Sequence, residues 1–158
     1  MSQSVLFVCL GNICRSPTAE GVMLHLLKER NITSVVVDSA GTSAYHVGEK
    51  ADRRSQTEAN LRGVHLPSRA RQFVVADFDR FDWIIAMDTQ NIAHILALTR
   101  NEHDASKVHL FRDFEADTPN GLSVPDPYYE DNFGLVFDIC QRGCIGLLEN
   151  LNRTVKQQ

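Results

Sequence analysis

Apolar residues in this chain fall into short unbroken runs separated by longer stretches of helical period. Val5-Leu6-Phe7-Val8, Val35-Val36-Val37, Trp83-Ile84-Ile85-Ala86-Met87 and Val108-His109-Leu110-Phe111 are too short for buried helices and rich in β-branched and aromatic residues. They predict four strands, the first over residues 4–8, apolar throughout as a central parallel strand should be. Between them, residues 17–29 place Ala19, Val22, Met23, Leu26 and Leu27 on one helical face. Ser16 reads as the N-cap of that helix and Pro17 as its first residue. Ser55-Gln56-Thr57-Glu58 has capping-box spacing, with Gly63 as the stop. Residues 77–81 predict one or two helical turns. Asp88 caps a helix to about residue 98, with Ile92, Ile95, Leu96 and Leu98 inside. A last helix over about 132–152 turns Leu135, Val136, Ile139, Gly143, Leu147 and Leu151 inward. Strands alternating with helices at this spacing predict an α/β domain doubly wound around a four-stranded parallel sheet, with helices on both faces. Residues 112–131, with three prolines, read as one long loop, a length that is more often functional than accidental.

With 158 residues a single domain over 1–158 is expected. The net charge of −4 gives no overall field to recruit nucleic acid or an acidic membrane, so any anion affinity must be local. Twelve arginines against four lysines are scattered and read mostly as solvated surface. No run approaches a membrane span, and no signal peptide is apparent at the start, so a cytoplasmic location is expected. Asn31-Ile32-Thr33 fits a glycosylation sequon but reads as a turn. Four cysteines do not make a disulfide scaffold and lack zinc spacing; no metal and no cofactor is expected.

The chemistry concentrates after the first strand, in Cys9-Leu10-Gly11-Asn12-Ile13-Cys14-Arg15-Ser16-Pro17. A loop between a strand end and a helix N-terminus turns backbone N–H groups toward one centre, and the helix adds partial positive charge there. Residues 10–16 thus read as an anion cradle with Cys9 at its floor. The field that holds a phosphate also favours a thiolate. Arg15 offers a fork of donors for two phosphate oxygens. Gly11 permits close approach, Asn12 tolerates positive φ, and the Ser16 hydroxyl is placed to donate to the Cys9 sulfur. A lone Cys at a strand end is usually a small buried residue; followed by Gly, Asn, Arg and Ser-Pro, it reads as a nucleophile.

This run is similar to the signature loop of the low-molecular-weight protein tyrosine phosphatases, a Cys-x5-Arg followed by Ser. Ser39-Ala40-Gly41-Thr42 and Asp126-Pro127-Tyr128-Tyr129 extend the likeness along nearly the whole chain. The resemblance implies a flavodoxin-like fold and hydrolysis of phosphotyrosine and aryl phosphate monoesters through a phosphocysteine. It makes Cys9 the nucleophile, Arg15 the transition-state clamp and Asp126 the general acid and base. Alone, Pro-Asp-Pro usually makes only a turn. It further implies an aromatic slot from Tyr45 and Tyr129 with Tyr128 beside it, and adjacent tyrosines that are phosphorylated in some members. Cys14 would form a protective disulfide with oxidised Cys9. Tyrosine-phosphorylated proteins would be substrates, and inorganic phosphate product and inhibitor. Many members carry a His before Ala-Arg-Gln, hydrogen-bonded with the Asn12 and Ser39 counterparts; here that position is Ser68. The rim at Ser43-Ala44-Tyr45 also departs from the family pattern. A related arsenate reductase would need two further cysteines in mid-chain, where residues 15–139 have none. A phosphate-sensing module would not need Asp126.

Overall fold

The computed structural model describes residues 2–156. Four strands, β1 (Gln3–Cys9), β2 (Val35–Gly41), β3 (Trp83–Ala86) and β4 (Val108–Leu110), form one parallel sheet in the order β2-β1-β3-β4. Because side chains alternate across a strand, β1 buries Val5, Phe7 and Cys9 on one face and Leu6 and Val8 on the other. The first face is covered by α1 (Arg15–Glu29) and the C-terminal helix α7 (Phe133–Lys156), which meet over Met23, Val136, Ile139 and Leu147. The second packs against Phe78 of α3 (Asp77–Arg80) and Ile95 of α4 (Thr89–Leu96). This is the doubly wound α/β fold expected from the alternation of runs. No helix among the described residues is long and apolar enough to cross a membrane.

Several local expectations are corrected. Helix α1 begins at Arg15, with Cys14 at the cap position and no side-chain cap, so Ser16 is not the N-cap. Pro17 is the third helical residue, where the missing N–H still has no intrahelical partner to lose. The spacing at 55–58 is not a capping box: α2 (Arg53–Leu61) is capped by Asp52, whose carboxylate accepts the Arg54 N–H at 2.8 Å. Gly63 follows with φ +74°, as its role as a stop requires. Leu96 and Leu135 lie outside the core at 41 and 48 % exposure, since the helices carrying them bury narrower faces than their sequences offer, and Leu98, 43 % exposed, falls in the turn after α4 ends at Leu96. Helix α5 (Glu102–Ser106), capped by Asn101, was not anticipated. The long segment after β4 contains a 3-10 turn (Phe111–Phe114) and the one-turn helix α6 (Pro127–Glu130). Asn31 sits in a turn after α1, with φ +54°.

That segment is fastened to α7 by two glycines. A Cβ on Gly143 would lie 2.5 Å from the Phe111 ring, and one on Gly146 only 1.8 Å from the Phe114 carbonyl oxygen. Glu115, next in sequence, is clamped by Arg112 at 2.9 Å and Arg142 at 2.8 Å. Gly146→Ala would force backbone against backbone, and a loss of about 2–3 kcal/mol is expected from the overpacking, read from urea denaturation. An unchanged midpoint would show that α7 can shift freely, contrary to this packing.

Candidate active site

All strand carboxyl ends point to one edge of the sheet, and the loop after β1 lies there, at the position where ligands bind in open α/β folds. The loop carbonyls are spent on its outer side. Cys9 O accepts the Thr42 N–H at 2.9 Å, Leu10 O accepts Ser43 N–H at 2.9 Å and Ile13 O accepts Asp52 N–H at 2.7 Å. In a planar trans peptide the N–H opposes the C=O, so the amides of Leu10, Gly11 and Cys14 turn inward. Asn12 has φ +57°, the left-handed conformation its residue type tolerates. Gly11 is not in that region; its need is space, because a Cβ there would meet the His46 ring at 3.0 Å.

Asn12 fixes this shape with every polar atom of its side chain. Nδ2 donates to Ser16 Oγ at 2.7 Å and to Ser39 Oγ at 3.0 Å, and Oδ1 accepts the Arg71 N–H at 3.0 Å. Since Ser16 Oγ already accepts from Asn12, its own proton is free for Cys9 Sγ, 3.0 Å away. The Asn12 N–H reaches the same sulfur at 3.2 Å. Two donors thus converge on one buried sulfur. Ser39 in turn donates to Glu20 at 2.5 Å. Burial pushes the Glu20 carboxyl above its ordinary range, partly offset by hydrogen bonds from Ser39 and Ser68. Ser68, standing where the family His was expected, is close enough to Glu20 to act on its carboxyl.

Arg15 is buried, and Nη1 donates to Asp88 at 2.7 Å and to the Val124 carbonyl at 3.0 Å. Burial alone would lower its pKa, but Cys9, Asp88 and Asp126 outweigh it and raise the pKa further. With one edge of the guanidinium held, the other faces the cleft. Asp126 lies there, Oδ2 at 3.6 Å from Arg15 Nη2, while its Oδ1 accepts the Tyr128 N–H at 3.1 Å as cap of α6. Cys9, Arg15 and Asp126 line one cleft of about 420 Å³. Cys9 is 3 % exposed at its floor; Tyr45 and Tyr129, 86 and 79 % exposed, stand at its rim with Tyr128 between. Cys14 lies in the same wall, and burial, with Asp52, pushes its thiol up to about 12. Leu10 is exposed and lines the cleft, as does Ile13, which packs with Cys14 on Ala70 and Phe133.

Three contributors escaped the sequence. Asp88 was legible only as a helix cap, although its place directly after β3, beside β1, could have flagged it. The Val124 carbonyl carries no sequence signal. His46 lines the cleft between Tyr45 and Tyr128 and hydrogen-bonds Glu49.

The profile of the low molecular weight phosphotyrosine protein phosphatases matches residues 4–157, and the chain belongs to that family. It is 39 % identical to the rat low molecular weight phosphotyrosine protein phosphatase over 94 % of this chain and 95 % of the relative. Identity is 38 % to a low molecular weight protein-tyrosine-phosphatase of Streptomyces coelicolor, covering 99 and 98 %. A crystal structure of a protein tyrosine phosphatase from Entamoeba histolytica superimposes with a TM-score of 0.91, at 39 % identity, covering 97 % of this chain and 99 % of that one.

Asn12→Ala should cost about 2–4 kcal/mol from lost buried hydrogen bonds plus left-handed strain. Asn12→Gly should recover about 1 kcal/mol of this by relieving the backbone. Thermal unfolding of the pair separates the two contributions; equal melting points would deny the strain.

Proposed function

We propose that this phosphatase works through Cys9, Arg15 and Asp126, and the observation that carries the reading is a sulfur held by two donors beneath a buried guanidinium, with a carboxylate above. The enzyme hydrolyses phosphotyrosine monoesters through a phosphocysteine. The Cys9 thiolate attacks phosphorus and an S–P bond forms as the P–O bond to the phenol breaks. The inward amides of the 10–16 loop left free by the sulfur, among them those of Leu10, Gly11 and Cys14, and the open edge of Arg15 hold the equatorial oxygens where charge resides in the transition state. Asp126 Oδ2 gives its proton to the departing phenol oxygen. In the second step Asp126 takes a proton from water as the water oxygen attacks phosphorus. The S–P bond then breaks, the Ser16 hydroxyl stabilises the returning thiolate, and inorganic phosphate leaves, a product that also competes for the cradle.

The depth of the slot supports the substrate class. With the sulfur buried and aromatic rings at the rim, a phenyl ester spans floor to mouth while its ring meets Tyr45 and Tyr129. A shorter seryl ester would leave the rim uncovered. Residues 1–158 act as one catalytic domain on tyrosine-phosphorylated proteins in the cytoplasm, where a reducing medium preserves the thiol. The net charge of −4 favours neither nucleic acid nor an acidic membrane as partner. Cys14 remains a protonated thiol in ordinary turnover and becomes useful only when Cys9 is oxidised to a sulfenic acid. It then displaces water to form a disulfide that thiol reduces.

Steady-state hydrolysis of p-nitrophenyl phosphate, and of phenyl phosphate as the ester with a poor leaving group, tests the assignment. Cys9→Ser should be inactive, and Asp126→Asn should lose about 10²–10⁴-fold in kcat on esters with poor leaving groups. Full activity in either variant overturns the role given to that residue. After brief peroxide treatment, dithiothreitol should restore the wild type but not Cys14→Ser; equal recovery removes the protective role.

A further inference from the structure

Beside the cleft, four cations occupy places that local electrostatics disfavours. Lys50 and Arg69 face each other across an antiparallel bridge, where like charges directly opposite are destabilising. Arg53 and Arg54 fill the first turn of α2, the positive end of a helix, and no acidic residue joins them in that turn. Arg54 is compensated, pairing with Asp52 at 3.1 Å and stacking on the Tyr128 and Phe133 rings. The other three are exposed and, among the described residues, have no carboxylate within ion-pair distance. Arg69 spends one donor on the Gly48 carbonyl at 3.0 Å and keeps the rest of its fork open.

Both strands of the bridge are tied to the loop that holds Cys9. The Asp52 N–H bonds Ile13 O at 2.7 Å, and the Arg71 N–H bonds Asn12 Oδ1 at 3.0 Å. Ala70, between Arg69 and Arg71, packs on Ile13 and Cys14. Lys50, Arg53 and Arg69 are each one or two residues from such a tether, so their backbones lie within about 7 Å of groups touching the loop. On a molecule of net charge −4 this is a local cationic stripe on segments adjoining the cleft, which they reach through His46 on one side and through Arg54, stacked on the cleft residue Tyr128, on the other.

We infer that Lys50, Arg53 and Arg69 form a docking stripe for acidic residues flanking the phosphotyrosine, so that acidic phosphopeptides are the preferred substrates. The inference rests on the phosphatase reading above. An extended peptide advances about 3.3 Å per residue, which puts side chains two to four positions from the phosphotyrosine over the stripe. Attraction of this kind acts chiefly on encounter and so on kcat/KM, and salt screens it.

The test compares a phosphotyrosine peptide with Glu at those flanking positions and its Gln counterpart, with p-nitrophenyl phosphate as the flank-free control. At about 20 mM ionic strength the wild type should favour the acidic peptide about 10-fold in kcat/KM, falling to about 1–2-fold at about 0.5 M. The Lys50→Ser/Arg53→Ser/Arg69→Ser variant should show about 1–2-fold at either salt, through KM, with p-nitrophenyl phosphate turnover unchanged. A wild-type ratio near 1 at low salt, or a preference that survives in the triple variant, overturns the inference while leaving the phosphatase reading intact. Failure of the wild type to hydrolyse p-nitrophenyl phosphate overturns both.

Discussion

The site hangs on one side-chain amide. Asn12 spends both Nδ2 protons and its Oδ1 on three different parts of the fold: Ser16 in α1, Ser39 in β2 and the backbone of Arg71. An amide has one orientation that satisfies two hydroxyl acceptors and one N–H donor, so the loop has one shape. That shape requires the left-handed backbone at position 12, which turns the neighbouring peptide planes and presents their N–H groups to the cleft. The direction of the hydroxyl protons follows as well. Each serine accepts from Asn12 and must donate elsewhere, Ser16 toward the sulfur and Ser39 toward Glu20. A change at Ser39, far from the substrate, would therefore be felt at Cys9 through Asn12.

Arg15 supplies the opposite charge under a different constraint. A buried guanidinium is costly unless its donors are paired, and Asp88 and the Val124 carbonyl pair one edge of it. These partners come from β3's end and from the segment leading to Asp126, so the cation is positioned by the same strands that form the sheet. Val124 is itself held by its N–H to Met87 O at 2.8 Å. The chain reaching over the cleft is thus fixed to β3's end two residues before the carboxylate it carries. Glycine contacts at Gly143 and Gly146 fix its other end.

What the sequence disclosed about this site is what depends on near neighbours. The positive φ tolerated at Asn12, the burial of Cys9 and the parallel four-stranded sheet of a doubly wound fold follow from residue type, short range and alternation. Ser16 and Ser55 have the right chemistry for caps, but a tertiary partner claimed the first and a nearer cap residue displaced the second. Ser16 turned to Cys9, and Asp52 reached the α2 N-terminus first. Asp88 and the Val124 carbonyl meet Arg15 across 73 and 109 positions of chain. No local pattern encodes such a meeting. His46 likewise lines the cleft because Gly11 leaves room for its ring, and neither residue advertises the other.

Asp126 shows why the humbler reading of a motif can hold together with the chemical one. Pro-Asp-Pro does make a turn: Asp126 caps α6, with Pro127 at the first helical position, and the cap engages Oδ1. That bond fixes the carboxyl plane and leaves Oδ2 pointing to the guanidinium side of the cleft. A carboxylate tethered through one oxygen loses little orientational freedom when the other must meet a leaving group, so in the proposed mechanism the turn is the means by which the acid is aimed. Loosening the cap without removing the carboxyl would leave the proton available but poorly directed. The two readings of this tripeptide are therefore compatible, because the capping bond that makes the turn also sets where the free carboxylate oxygen points.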